Sequence, residues 1–213
     1  MLNAGVIGAG HLGKIHLKLL NQSDKYNLVG FYDSNPEAAK NISEEFGYRS
    51  YKTMESLIKD CDMVDVVTPT LYHSDCAKKV LNAGKHLFIE KPITKTVQEA
   101  EEIRELAKKN GVRGQVGQVE RFNPAFTAVN NQIVNPMFIE AHRLAEFNPR
   151  GTDVSVVLDL MIHDIDAILS VVNSKVKTVT ANGVSVISQT PDIANARIEF
   201  ENGCVANLTA SRI

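Results

Sequence analysis

The sequence predicts an α/β domain built on a parallel sheet, followed by a smaller α+β domain whose open sheet is mainly antiparallel. Three observations carry this. Through about residue 120, short apolar runs alternate with helical patterns, which is how a parallel sheet with helices on both faces is written in sequence. After Arg121 that rhythm stops. Near the C-terminus Ala194, Ala196, Ile198 and Phe200 alternate with Asn195, Arg197, Glu199 and Glu201, giving a strand with one apolar and one polar face. The boundary is placed between residues 121 and 122, so that 1–121 and 122–213 form the two domains.

In order along the chain, strands are expected near Ala4–Ile7, Leu28–Tyr32, Met63–Val67, His86–Ile89 and Gly114–Val119. Between the first two, Leu12, Ile15, Leu19 and Leu20 form a helical stripe that would cover the sheet. Thr96-Val97-Gln98-Glu99 has the spacing of a capping box and starts a later helix. In "NPAF", Asn123 suits a helix cap and Pro124 the first helical position. The strand-like "MFIEAHRLAEF" follows, then a helix from about Asp153 to Val172. Strands at Thr178–Ile187, Ala194–Phe200 and Cys204–Ala210 complete a sheet read as antiparallel, with Asn202-Gly203 in the last hairpin turn.

Composition narrows the functional classes. With 213 residues, 44% hydrophobic and 23% charged, the chain can bury a sizeable core. A net charge of −2, with basic and acidic residues interleaved, argues against nucleic acid as a partner. No apolar run reaches the ~18 residues needed to span a bilayer, and the N-terminus lacks a signal-peptide pattern, so no membrane partner and a cytoplasmic location are expected. Cys61, Cys76 and Cys204 have neither disulfide-framework nor zinc spacing and read as buried, reduced thiols, and no metal site is expected.

The first motif is "GVIGAGHLGKIH", in which Gly8, Gly10 and Gly13 have G-x-G-x-x-G spacing between a strand and an amphipathic helix. The first glycine permits the tight turn, the second lets backbone approach a pyrophosphate, and the third allows close helix–strand packing. His11 and Leu12 open the helix whose N-terminus faces the phosphates. Twenty residues past Gly13, Asp33 ends the second strand, where a carboxylate can accept hydrogen bonds from ribose hydroxyls and repel a 2′-phosphate. Together these predict a Rossmann domain that binds NAD in preference to NADP. Thr68 and His73 follow the third strand at the carboxyl edge, where cofactor contacts gather, although His73 suits a helix start equally well. Tyr48-Arg49-Ser50-Tyr51-Lys52 fits a Y-x-x-x-K spacing, but it falls too early and outside any convincing helix.

"GAGHLGKIH", "VVTPTLYHSDCAKKVLNAGKHLFIEKP" and "DLMIHDID" together resemble the Gfo/Idh/MocA oxidoreductases, over essentially the whole chain. The resemblance implies that Glu90-Lys91-Pro92 lies at the carboxyl edge where nicotinamide and substrate meet, with Lys91 catalytic and also near the cofactor. It implies that Glu90 supports the site and that the Lys91-Pro92 bond can be cis. Asp159 and His163, four apart and so on one helical face, match the family's catalytic positions, with Asp166 about a turn further on. Leu158, Ile162, Ile165 and Leu169 would pack, Asp164 would be a solvated bystander, and Met161 stands where the family commonly has glycine. In this reading His163 is the base and Lys91 the orienting cation.

Within the family, "GQVERFNPAF", "FIEAHRLAEF" and "PRGTDVSVVLDLMIHDID" look most like members acting on UDP-N-acetylglucosamine at the 3-hydroxyl. Arg121, Asn123, Arg143 and Arg150 are the candidate substrate contacts, because guanidinium forks match phosphate oxygens. Domain-interface salt bridges are the alternative for each arginine. A free sugar or cyclitol would need no such diphosphate contacts. The resemblance also implies a homodimer or homotetramer formed through the open sheet. The chain stops inside a strand where family members continue, so a truncated copy serving as a redox sensor or assembly protein is a further expectation.

Overall fold

The computed structural model describes residues 1–148 and 154–213. The chain divides into two compact units, Met1–Gly117 and Gln118–Ile213. Arg150, and Asp153 at the expected helix start, lie outside the described residues.

The first unit alternates strand and helix: β1 (Leu2–Ile7), α1 (His11–Gln22), β2 (Tyr26–Tyr32), α2 (Pro36–Phe46), α3 (Met54–Asp60), β3 (Met63–Val66), α4 (His73–Asn82), β4 (His86–Glu90), α5 (Val97–Lys109) and β5 (Gly114–Gly117). The strands pair in the order β2-β1-β3-β4-β5, every pair parallel. All five carboxyl ends therefore fall on one edge of the sheet. Local chemistry fixes the helix ends. Asn35 accepts from the Glu37 and Ala38 N–H groups ahead of Pro36, and Gly47 closes α2 with φ +74°. Thr96 and Glu99 form the expected capping box. On one face of the sheet Leu57, Val64, Val80, Leu81, Ile89 and Ile103 are buried together, and on the other Val6, Leu17, Phe31 and Ile42. Each fully buried aliphatic or aromatic side chain contributes roughly 1.5–3 kcal/mol, which makes these two clusters the dominant stabilising term.

Of the stripe expected on α1, only Leu20 packs. Leu12, Ile15 and Leu19 are 49%, 43% and 60% exposed, while Gly13 and Leu17 are buried and His16 and Leu20 half-buried. Gly13 decides this, because a Cβ there would overlap the Gly8 carbonyl oxygen, so α1 must turn that residue inward. The Tyr48–Lys52 stretch lies outside any helix, as expected, with Arg49 and Tyr51 bonded to either side of Phe31. All three cysteines are free and buried, and burial pushes Cys61 up to about 12.

The second unit holds α6 (Pro124–Val129), β6 (Phe138–Leu144), a π-helical turn (Val157–Met161) running into α7 (Ile162–Val171), then β7 (Val176–Val184), β8 (Ile193–Phe200) and β9 (Val205–Ser211). Its strand order among the described residues is β6-β9-β8-β7. The pairs β7–β8 and β8–β9 are antiparallel, but β6 runs parallel to β9, so the sheet is mixed rather than antiparallel throughout. Ala194, Ala196, Ile198 and Phe200 turn inward with Ala206, Leu208 and Ala210, and Met161, Ile168 and Val172 of the helical segment pack on them. The inward helical residues differ from the expected Leu158, Ile162, Ile165 and Leu169, of which Leu169 is exposed and Ile165 alone packs against that cluster. The wider π turn shifts the face by about one residue, which a 3.6-residue period cannot register.

Strand β7 also ends three residues before the expected Ile187. Asp192, fully buried, accepts from the Val186, Ile187 and Ser188 N–H groups and from Arg212, which turns the chain away from the ladder. The Ser188 hydroxyl and those backbone donors hold the Asp192 carboxyl well below the usual carboxylate range.

Candidate active site

The carboxyl edge of the parallel sheet gathers Gly8 and Gly10 after β1, Asp33 after β2, Thr68 after β3, and Glu90 and Lys91 at the end of β4. The strand order reverses between β1 and β3, which is where open α/β sheets bind ligands. A cavity of about 500 Å³ lies there, lined by Gly8, Gly10, Asp33, Thr68, Pro69 and Tyr72 among others. Gly8 has φ +93°, and a Cβ on it would sit 2.9 Å from the Val67–Thr68 backbone. Gly10 is different: nothing lies within 4 Å of the place a Cβ would take. Its backbone is open to a ligand. Gly10 also begins α1 without a side-chain cap or an acidic residue in the first turn, so the N–H groups of the first turn, from His11 and Leu12 onward, face outward with the positive end of the helix dipole. This arrangement fits a dinucleotide pyrophosphate.

Asp33 is already engaged. Its Oδ2 accepts from Ala9 N–H and its Oδ1 from Asn35 N–H, both at 2.8 Å. A carboxylate has about four acceptor positions, so capacity remains for a ribose hydroxyl while the acid also shapes the Gly-rich loop. His73 is 1% exposed, and its ring nitrogens lie 2.9 Å from the Pro92 carbonyl oxygen and 2.8 Å from that of Thr68. It holds the turn together at the start of α4, as the helix-start alternative has it. The Lys91-Pro92 bond is cis. Lys91 is half-buried, and its backbone N–H donates to Glu90 Oε2 at 3.1 Å.

In the second unit Asp159 lies in the π-helical turn and His163 in the first turn of α7, both half-buried, on continuous helical backbone. Arg121 donates through Nε and Nη2 to Asp166 at 2.6 and 2.8 Å. Arg143 does the same to Asp164 at 3.1 and 2.7 Å and lies 3.5 Å from Glu120. Asp164 is thus no bystander but the partner of Arg143. Asn123 caps α6 through Ala125 N–H and donates to Glu120, whose carboxyl is held below its ordinary value by that bond, by Arg143 and by the charge of His163. Of the three arginines read as phosphate contacts, Arg121 and Arg143 are therefore held in forks by carboxylates, and Arg150 lies outside the described residues.

Residues 2–118 match the family model described as "Oxidoreductase family, NAD-binding Rossmann fold", and residues 105–213 match the "GFO/IDH/MocA C-terminal domain". The chain belongs to the Gfo/Idh/MocA oxidoreductases. It is 36% identical, over all of its own length and 67% of the relative's, to UDP-N-acetylglucosamine 3-dehydrogenase of Acidithiobacillus ferrooxidans. The solved structure of that protein superposes with a TM-score of 0.93, covering 100% of this chain and 70% of that one. It is also 28% identical to scyllo-inositol 2-dehydrogenase (NAD(+)) of Bacillus subtilis, over 99% of this chain and 67% of the relative. The chain thus spans about two thirds of the length of these relatives.

One charged cluster of this Gfo/Idh/MocA chain escaped the motif reading. His16, on the sheet-facing side of α1, places Nδ1 2.8 Å from Asp65 Oδ2 of β3 and Nε2 3.4 Å from Glu90 Oε1 of β4, with its ring edge-on to Phe88. A histidine three residues past the last glycine of the motif, and an acid inside an otherwise apolar strand, were the available signals. Burial is the largest influence on the ring and disfavours its charge, yet the two carboxylates together outweigh it and raise His16 to about 10. A histidine raised in the folded state stabilises fully below its unfolded value near 6.5, and that contribution is lost as pH climbs through about 10. We expect the denaturation midpoint to fall between neutral and alkaline pH more steeply in the unmodified chain than in His16→Gln. Equal slopes in urea titrations of the two proteins would contradict the assignment.

Proposed function

We propose that this protein is an NAD-dependent dehydrogenase that removes hydride from a secondary hydroxyl of a sugar, the 3-hydroxyl of a UDP-N-acetylhexosamine being the best-supported substrate. The observation that carries the reaction type is the shared sheet edge of the open Gly8–Gly10 loop and Lys91. Identity over the full chain to a UDP-N-acetylglucosamine 3-dehydrogenase supports the substrate class. A bound dinucleotide supplies the hydride acceptor. His163 takes the hydroxyl proton, Asp159 orients the imidazole, and Lys91 hydrogen-bonds the same oxygen and favours its developing negative charge.

A second reading, oxidation of a free cyclitol, is favoured by the carboxylate partners of Arg121 and Arg143 and by relatives named as inositol dehydrogenases. A diphosphate would have to compete with Asp166 and Asp164 for those guanidinium forks. Incubating the chain with NAD and a panel of UDP-sugars, free sugars and cyclitols, while following NADH absorbance, separates the two readings.

The strand edges at β6 and β7 and the exposure of β7 along its whole length support assembly into a homodimer or homotetramer through the second sheet. Light scattering at micromolar concentration should give a multiple of the chain mass, and a clean monomer would refute this.

For the cofactor, Asp33 at the end of β2 supports NAD over NADP. Calorimetry should show tighter binding of NAD, and Asp33→Ala should narrow the difference by removing repulsion of the 2′-phosphate and a ribose acceptor. An unmodified chain that prefers NADP would sink the proposal.

On the best substrate of the panel, His163→Ala should lower turnover by about 10²–10⁴-fold. Lys91→Met keeps the stem, removes the cation, and should abolish most turnover while NAD still binds. Near-normal turnover in both variants would show that other groups move the proton, with Asp166 the first to examine.

A further inference from the structure

The His16 cluster joins two parts of the first unit that the reaction needs in register. Helix α1 begins at the Gly-rich loop, and His16 lies one and a half turns into it. Alternation along β4 puts Phe88 and Glu90 on the α1 side of the sheet, and His16 meets both. Glu90 is confined from three directions. Its Oε1 faces the His16 ring at 3.4 Å, its Oε2 accepts the Lys91 N–H at 3.1 Å, and it lies so near Gly117 of β5 that a Cβ there would come within 2.6 Å of Oε1. A larger residue at position 117 would displace the carboxylate.

We propose that His16 is a positioning residue that bridges Asp65 and Glu90, fastening the dinucleotide-loop helix to the strand end that carries Lys91 and fixing the Lys91 backbone through Glu90. This rests on the reading of Lys91 as catalytic. Both ring nitrogens face carboxyl oxygens; burial raises the Asp65 carboxyl while its bond to His16 opposes that, and with both acids ionised their oxygens only accept, so both nitrogens carry protons and the ring is a cation. The charged groups facing it are Asp65 from β3 and Glu90 from β4. Two carboxylates and an imidazolium, mostly withdrawn from water, are poor value as stability alone, because well-packed apolar residues commonly serve as well. Charge here specifies geometry: the Glu90 carboxylate has one orientation that satisfies His16 and Lys91 N–H together. Asp65, 3% exposed, fixes the ring from the other side. Its Oδ1 is buried without a hydrogen-bond partner, so the ring is its principal compensation.

The test has one arm that needs no substrate. In the full chain labelled with ¹⁵N at histidine, both His16 ring nitrogens should show imidazolium shifts with no titration between about pH 6 and pH 9, and a ring titrating near the ordinary value of about 6.5 would overturn the proposal. In folded His16→Gln, acylation of Lys91, mapped by mass spectrometry against Lys95 as internal reference, should change several-fold. Asp65→Asn supplies a second variant with the same expectation. Unchanged Lys91 labelling in whichever variants fold would leave His16 as packing only and overturn the proposal.

The kinetic arm uses the best substrate of the panel. His16→Gln should lower kcat, by up to about 10²-fold if Lys91 is displaced by an ångström, with the NAD dissociation constant close to that of the unmodified chain. Adding Glu90→Gln should cause little further loss, because both changes break one linkage. Full additivity would count against that linkage. If Lys91→Met costs no turnover, the catalytic reading fails, while the nitrogen shifts and the labelling ratio still judge whether His16 sets the position of Lys91.

Discussion

Gly13 lies against the Gly8 carbonyl with no room for a side chain, and much of the first unit depends on that contact. It brings the N-terminus of α1 down onto the β1 turn, so the helix axis and its rotation are set by backbone rather than by apolar side chains. With Gly13 inward, Leu17 is buried and His16 and Leu20 follow on the same side, while Leu12, Ile15 and Leu19 are turned out. The cost is three exposed apolar residues. The gain is an uncapped helix N-terminus at the switch point of the sheet, with Gly10 open toward whatever occupies the cavity.

In the second unit, placement is set by charge as much as by apolar contact. Arg121 and Asp166, and Arg143 with Asp164 and Glu120, tie α7 to the segment before α6 and to β6. Partly exposed pairs of this kind contribute at most about 1 kcal/mol each, but bidentate forks define orientation sharply. They turn Asp164 and Asp166 toward arginines. Asp192 and Arg212 act differently, since both are buried and satisfy each other together with the backbone of the 186–191 loop and the Val154 carbonyl. That loop is built around a charge, and strand β7 stops where the charge begins to collect donors.

What could be read from the sequence was whatever has a local period or a local chemical rule. The parallel alternation, the hairpin face of Ala194 to Phe200, the Asn123 and Thr96 caps and the Gly8–Gly13 loop all satisfy rules that span fewer than about ten residues. Misreadings arose where a distant contact overruled the period. Counting apolar residues on α1 favoured Leu12, Ile15 and Leu19, because nothing local shows that Gly13 must face Gly8. The π turn at Val157–Met161 breaks the assumption of 3.6 residues per turn, and so moves the packed face from Leu169 to Ile168. The parallel pairing of β6 with β9 joins residues some sixty-seven apart, Phe138 with Val205, which no pattern within either strand encodes. Asp164 was set aside because a solvated acid and the partner of Arg143 look alike until the chain folds.

The lysine at the end of β4 has a physical reason for its neighbours. A strand end at the edge of a parallel sheet has lost its ladder partners, so its backbone direction must be fixed by other means. Here Glu90 turns back to accept the Lys91 N–H, His73 ties the Pro92 carbonyl to the Thr68 carbonyl region, and Gly117 leaves the volume that the Glu90 carboxylate fills. None of these contacts uses the lysine amine. The backbone is secured by the residues on either side. Glu, Lys and Pro thus stand together for a backbone reason: the first anchors the peptide, the last fixes the exit of the chain, and Lys91 is held between them at the sheet edge.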